Sequence, residues 1–380
     1  MITKVELQNF MSFGARQAVS LQGITVLVGA NNSGKSNFLR FPSFFQAQAK
    51  QGVDQRMGRF DDDFRRPARD PSEPLVLEWE VNGPDGLRYT LEVQRVGLLG
   101  GWKSLESCRV SGQELYRGHG GVIAAGTPAP GGAIFQGYTF GGAQWGGVAV
   151  DSLRHRDGAN PPGWPARLVD PVMSARRVHL SLEALRNDGV PGNVELEESG
   201  NGLAATVATW RGNDPDAAEE YDRLVSTMIP ELKRVLVTFV DGKARLCFEQ
   251  KDGEFFDAHQ VSDGVVTFAG LIAQALEAPA NGLVLLEEPE RCIHPARLEA
   301  FVDVLRRLVV DRKIQFILAT HSPKLLSLFR DEPESIQTFV RGKNGTVVRC
   351  LADRADLRET LERAHPGDLL ADGVFNSEEL

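Results

Sequence analysis

Cysteine is scarce and scattered. The four in the chain, Cys108, Cys247, Cys292 and Cys350, form no CxxC pair and show no Cys/His spacing that suits zinc, which argues against a zinc-ribbon or disulfide framework. Reduced, mostly buried thiols are the expected state. Long apolar runs are missing too. The least polar stretch, Val265 to Leu276, is broken by Thr267 and Gln274 and falls short of the ~18 apolar residues a membrane span needs, so no membrane partner is expected. The opening MITKVELQNF has no basic start followed by an apolar run; no secretory signal is expected, and the cytoplasm is the expected location. Excess positive charge is also absent. Against 51 Asp and Glu stand 42 Lys and Arg, a net charge of -9, so any contact with nucleic acid must come from a local patch. Candidate patches are Arg65, Arg66 and Arg69, then Arg154 and Arg156, then Arg176 and Arg177, although such runs are more often plain solvated faces. Internal repeats and sustained heptads are lacking, and 42% hydrophobic with 24% charged residues excludes a disordered or coiled-coil-dominated chain.

What is present is a folded chain of 380 residues, long enough for two or three domains or one large domain with insertions. The first thirty residues read as strand, turn, strand, ending in the β-branched run Ile24 to Val28. Ser36 to Phe45 reads as a helix that Pro42 kinks or ends. Two alternating strands between Leu75 and Val93 flank the turn-rich NGPDG and predict an antiparallel hairpin. Between Gly112 and Pro165 there are 14 glycines and 5 prolines, which predicts a loop-rich insertion with short strands. Leu180 to Trp210 and Asp216 to Val237 carry apolar residues at helical spacing, and strands follow at Val235 to Val240 and Ala244 to Gln250. From Ser262 the order is helix, strand (Leu283 to Leu286), helix (Pro295 to Val310), strand (Ile314 to Ala319), helix (Pro323 to Phe329) and a strand pair around RGKNGT, which is an α/β alternation.

Chemistry enters at Gly29-Ala30-Asn31-Asn32-Ser33-Gly34-Lys35-Ser36, a complete GxxxxGK[ST] between a strand and a helix. Phosphate charge must be met without bulky side chains, so glycines let backbone N–H groups wrap the phosphates. Lys35, expected as an exposed charge, serves the β- and γ-phosphates, and the Ser36 hydroxyl is a magnesium ligand. Far downstream the strand Leu283 to Leu286 delivers Glu287 and Glu288. One acid suits the magnesium shell and the next polarises an attacking water. Paired glutamates after a strand also describe an ordinary solvated loop; the upstream P-loop is what favours the catalytic reading. His294 and His321 share no third ligand at metal spacing, and a lone histidine after a strand is otherwise an ordinary core or surface residue.

Most of the chain lies between Ser36 and Glu287, more than a compact kinase or GTPase places there. Within that gap Val261-Ser262-Asp263-Gly264-Val265 precedes a helix and matches the short core of an ABC-type signature. Pro289 to Pro295 stands where a D-loop belongs, and Ala319-Thr320-His321-Ser322-Pro323 ends the next strand with a histidine. In this order the motifs resemble the ATPase head shared by ABC, SMC, RecF and OLD proteins, and in detail the stand-alone bacterial AAA-family ATPases related to RecF and OLD, in which VELQNFMSFG, GANNSGKSN, SDG, EEPExxIHP, THSP and DLLADG-like segments recur. The resemblance covers nearly the whole chain, except the glycine-rich insertion. It departs from the family at Met11, where a Lys or Arg is usual, at Glu287, where Asp is usual, and at Arg291-Cys292, where Asn-Gly is common. No Q-loop glutamine can be assigned; Gln46, Gln48 and Gln51 lie near the right stretch.

The resemblance implies an α/β fold: an ABC-type head with a nucleotide-binding lobe, an antiparallel β subdomain and a helical, signature-bearing lobe. The expected segments are 1–100 with Walker A, 101–165 as the insertion, 166–275 with the signature, 276–355 with Walker B and the switch histidine, and 356–380 as a tail. It further implies ATP and Mg2+ as cofactors. The nucleotide would be bound by Gly29, Asn31, Asn32, Ser33, Gly34, Lys35, Ser36 and Asn37, and by Ser262 and Gly264 of a second copy. Metal ligation would fall to Ser36 and Glu287, and catalysis to Glu288 and His321. ATP would join two copies into a homodimer, with DNA and a separate nuclease or effector as further partners, in DNA repair or phage defence. The alternative is a nucleotide-gated scaffold with little hydrolysis. A transporter subunit would carry a longer LSGGQ-type signature, an SMC protein two heptad arms, and an OLD nuclease an acidic TOPRIM domain that the short stretch after His321 is not expected to hold.

Overall fold

The computed structural model describes residues 1–51, 73–82, 86–96, 101–111, 113–119, 122–124, 164–192 and 195–376. Contacts divide the chain into two compact units, residues 1–175 with 332–380, and residues 176–331. No helix among the described residues is long and apolar enough to cross a membrane.

The first unit is built on a seven-stranded antiparallel sheet in the order β2-β1-β4-β5-β6-β7-β8. Its strands are β1 (Ile2–Gln8), β2 (Gln17–Ser20), β4 (Leu75–Val81), β5 (Leu87–Val96), β6 (Gly101–Val110), β7 (Gln113–His119) and β8 (Val122–Ala124). The hairpin predicted between Leu75 and Val93 is β4 against β5. The front of the expected insertion is more regular than its composition predicts, since β6, β7 and β8 extend the same sheet; residues 125–163 lie outside the described residues. A fully buried β3 (Ile24–Val28) pairs in parallel with β15 (Ile336–Gly342), which continues antiparallel into β16 (Gly345–Cys350). Helix α1 (Lys35–Phe38) follows β3, and α2 (Phe41–Gln51) starts after a two-residue break. The interruption therefore precedes Pro42, which occupies the first turn of the new helix, where its missing N–H costs nothing. Phe45 of α2 packs edge-on against Trp79 and Tyr89 of the sheet, and the Trp79 indole donates to Leu168 O at 2.8 Å in α3 (Trp164–Met173).

In the second unit β13 (Leu283–Glu287) lies parallel between β9 (Arg176–Val178) and β14 (Gln315–Ala319). The near-continuous apolar run of β13 is what a buried parallel strand needs. Helix α7 (Asp263–Glu277) is buried from Val266 to Leu276, while α8 (Leu298–Arg312) buries one stripe, Leu298, Phe301, Val302, Val304, Leu305 and Leu308. A separate sheet of β10 (Leu232–Val240), β11 (Lys243–Gln250) and β12 (Phe255–Asp257) packs against α5 (Leu203–Asn213) and α6 (Pro215–Met228).

Two helical expectations need correction. Among the described residues between Leu180 and Trp210 only those of α4 (Leu182–Leu185) and α5 are helical, because the intervening glycines leave no uninterrupted helix-forming run. The second run stops at Met228, and its expected continuation is already β10 from Leu232. The β-branched residues of that segment pair with β11 instead of adding another turn.

Candidate functional site: a phosphate loop and an acid loop

The phosphate loop is held from behind by residues far away in sequence. Gly29 takes φ +148°, and a Cβ there would meet Phe339 O at 2.1 Å; Gly34 takes φ +112°, and a Cβ there would meet Thr346 Oγ1 at 2.2 Å and Ser12 Oγ at 2.7 Å. Both positions therefore require glycine for conformation and for space. The Thr346 hydroxyl lies 2.7 Å from Ser12 Oγ and donates to Ser33 O at 2.8 Å, while the Thr346 N–H donates to Ser12 O at 2.9 Å. Beneath the loop Phe13, Phe38 and Phe339 form edge and tilted ring contacts. Asn32 is left-handed at φ 62°, and Asn31, Asn32 and Ser36 are exposed, with Asn37 half-buried.

Lys35 corrects an expectation. It is buried, 6% exposed, and its Nζ donates to Gly29 O at 2.7 Å and Ala30 O at 3.0 Å. Burying an ammonium is costly without such acceptors, so the loop's carbonyls fix the charge within the loop. Ser33 Oγ is buried and has no hydrogen-bond partner in the structure.

Gln46, one of the three glutamines considered for a Q-loop, is committed elsewhere: its amide donates to Val172 O, Met173 O and Ala175 O within 3.1 Å, closing the end of α3. The side chains of Gln48 and Gln51 lie outside the described residues, as do Arg65, Arg66, Arg69, Arg154 and Arg156.

The acid loop belongs to the second unit. Glu287 ends β13 half-buried, paired with Arg177 Nη2 at 3.1 Å from the neighbouring strand β9. Glu288 is a non-glycine residue in the left-handed region, φ 47° and ψ 53°, a conformation that persists only when its surroundings fix it. Here its N–H donates to Ala319 O at 2.8 Å and its carbonyl accepts from Arg291 N at 3.1 Å. Its carboxylate pairs with Arg291 Nε at 3.2 Å. Glu290, which sequence reasoning did not single out, joins this loop to the one after β14. Its Oε1 accepts from Thr320 Oγ1 at 2.5 Å and from the His321 N–H at 3.2 Å, so the EEPE and ATHSP segments are joined through one carboxylate. Nothing in the sequence marks that link beyond the recurrence of both motifs.

Arg176 and Arg177 do not form a polyanion surface. Arg176 donates to Leu196 O at 2.6 Å and to Gln274 Oε1 at 2.8 Å; burial pushes its guanidinium below its ordinary value. Ser262 precedes α7 with no side-chain capping bond. Arg186 fastens this end of the helix, donating to Ala258 O, Val261 O and Asp263 Oδ1. His294 Nδ1 accepts from Ala296 N at 3.2 Å, a local turn contact. A cavity of about 410 Å³ is lined by Ser262, Gly264, Phe268, Arg291, His294 and Arg297 among others. A second, of about 230 Å³, is lined by Glu287, Glu288 and again Arg291.

A glycine-shaped loop closed on a lysine, with an acid pair after a buried parallel strand, is the local architecture of P-loop ATPases. The family model described as "AAA domain, putative AbiEii toxin, Type IV TA system" matches residues 24–125 and 157–327. The chain belongs to this family. No curated protein matches it. Among solved structures it is similar to the SMC head domain from Thermotoga maritima, at 13% identity and a TM-score of 0.50 over 92% of this chain and 98% of that one. It is also similar to an SMC head bound to the C-terminal winged-helix domain of ScpA, at 13% identity and a TM-score of 0.54 over 92% and 96%. The fold is that of an ABC/SMC-type P-loop ATPase head, mixed α/β with several sheets, as the motif order implies.

Proposed function

We propose that the chain binds ATP with magnesium and hydrolyses it to ADP and phosphate, coupled to closure of a homodimer. The observation that carries this reading is the phosphate loop: Gly29 and Gly34 let its backbone pack directly against Phe339, Thr346 and Ser12, where a Cβ would clash, and the Lys35 ammonium is already fixed inside. A polyphosphate fits that cradle, with Gly29, Asn31, Asn32, Ser33, Gly34 and Asn37 around it and Lys35 supplying countercharge. Magnesium suits the remaining oxygen donors, the exposed Ser36 hydroxyl and the Glu287 carboxylate. No group of three His, Cys, Asp or Glu that could hold a metal gathers among the described residues, and Mg2+ is commonly held by one or two protein oxygens together with phosphates and water. Bound magnesium supplies charge neutralisation at the phosphates. Glu288 accepts a hydrogen bond from the attacking water, and His321, its loop anchored by Glu290, contacts the γ-phosphate. Ser262 and Gly264 meet the nucleotide of a second copy.

The reaction serves DNA repair or phage defence beside a separate nuclease or effector in a RecF/OLD-like setting, a reading supported by motif kinship and by the toxin–antitoxin description of the family. A second reading, a nucleotide-gated scaffold with slow turnover, is favoured by one specific observation: both acids are engaged by arginines, Glu287 by Arg177 and Glu288 by Arg291. Calorimetry of ATP with magnesium tests the core of the proposal. Lys35→Ala should abolish binding with the fold intact, and equal affinity in mutant and parent would sink it. Turnover of the parent with and without DNA separates the enzyme from the scaffold.

A further inference from the structure

Arg291 is the one residue shared by the linings of the two cavities described above. On one side it faces Ser262, His294 and Arg297, in a cavity whose lining contains three basic side chains and no acid; of these, Arg297 is already bonded to Met228 O and paired with Glu231. On the other it pairs with Glu288 Oε2. The Arg291 side chain is 73% exposed and that of Glu288 34% exposed. An exposed pair of this kind biases an equilibrium only a few-fold, so a competing anion can break it. The Glu288 backbone cannot follow, because its left-handed conformation is fixed by bonds to Ala319 O and Arg291 N.

We propose that Arg291 is a two-position positioning residue: at rest it occupies Glu288 Oε2, and it turns away when a phosphate-type anion enters the basic cavity beside Ser262, freeing that oxygen to orient water. The anion is either a nucleotide phosphate carried by a second copy of this chain or free inorganic phosphate. A guanidinium at that oxygen takes one of its two acceptor sites and weakens its pull on a water proton, so the switch keeps turnover low until the cavity is filled. The inference rests on the proposed function for its consequence, though not for the anion site itself.

Two measurements on the full chain test it. The first titrates inorganic pyrophosphate into Lys35→Ala protein, whose phosphate loop is disabled. Binding should be detectable and weaken at least five-fold when Arg291→Gln is added, with Arg291→Lys recovering most of it. Undetectable binding, or equal binding with and without Arg291, overturns the proposal. The second measures ATP turnover in dilute protein. Arg291→Gln should raise the dilute rate a few-fold and blunt any further stimulation, whereas a merely structural role would lower the rate under all conditions, which would also overturn it. In the parent, stimulation by added phosphate identifies free phosphate as the anion, and stimulation only by higher protein concentration identifies the second copy. If the parent hydrolyses nothing, the proposed function fails while the pyrophosphate arm still decides on Arg291.

Discussion

The phosphate loop of the first unit is shaped by backbone and packing, whereas in the acid loop of the second, whose backbone is held by Ala319 O and the Glu290 carboxylate, the two acid side chains are held by ion pairs, a half-buried one at Glu287 and a more exposed one at Glu288. Around Gly29 and Gly34 the neighbours are a carbonyl, three hydroxyls and a buried ring cluster. Around Glu287 and Glu288 they are two guanidinium groups. Close-packed surroundings tolerate almost no displacement, and an exposed charge pair such as Glu288–Arg291 tolerates a great deal. Recognition of a fixed group such as a polyphosphate suits the first construction, and a step that must be switched suits the second.

The sharpest way to break this comparison is Gly34→Ala. The new Cβ would lie 2.2 Å from Thr346 Oγ1 at φ +112°, so we expect loss of ATP binding and a destabilisation of about 3 kcal/mol, read by calorimetry and denaturant unfolding. Unchanged binding and stability would show that the loop is not limited by shape. Next in size, Glu288→Gln should lower single-turnover hydrolysis by about 10²-fold while leaving the unfolding midpoint in place. A parent-like rate would move attention to Glu287 or His321. Smaller again is Thr346→Val, which removes the hydroxyl bridging Ser12 and Ser33. Stability should fall by about 1–3 kcal/mol with a modest rise in the ATP dissociation constant, and no change in either would mean that the rings alone support the loop.

The smallest effect concerns an ion pair remote from both loops. The Arg245 guanidinium, bound in a fork to Asp188 at 2.9 and 2.8 Å, holds that carboxyl below its ordinary value. A depressed carboxylate stabilises the fold above its unfolded value near pH 4 and loses that contribution as pH falls through the lower folded value. Parent and Asp188→Asn should therefore differ in thermal midpoint at neutral pH and begin to converge only as pH falls below about 4; a difference that grows on acidification would contradict the assignment.

Much of the site was legible because its chemistry is written locally. A phosphate loop needs glycines, a lysine and a hydroxyl within eight residues, and the acids need only a buried strand before them. The hairpin of β4 and β5 and the pair of β15 and β16 were readable for the same reason, since each is closed by a short turn. Leu180 to Trp210 misled because helical spacing over a few residues does not outweigh the glycines between them.

By itself the sequence determined the order of motifs, the glycine-dependent loop and the strand that delivers Glu287 and Glu288, because backbone conformation and short spacings are properties of neighbouring residues. Only the tertiary structure decided that Thr346, 313 residues along the chain from Ser33, braces the phosphate loop, that Lys35 is buried, that Glu290 joins the acid loop to His321, and that Arg177 and Arg291 engage the two acids. Those arrangements depend on which side chains the folded chain brings within hydrogen-bond reach, and no local pattern records such distances.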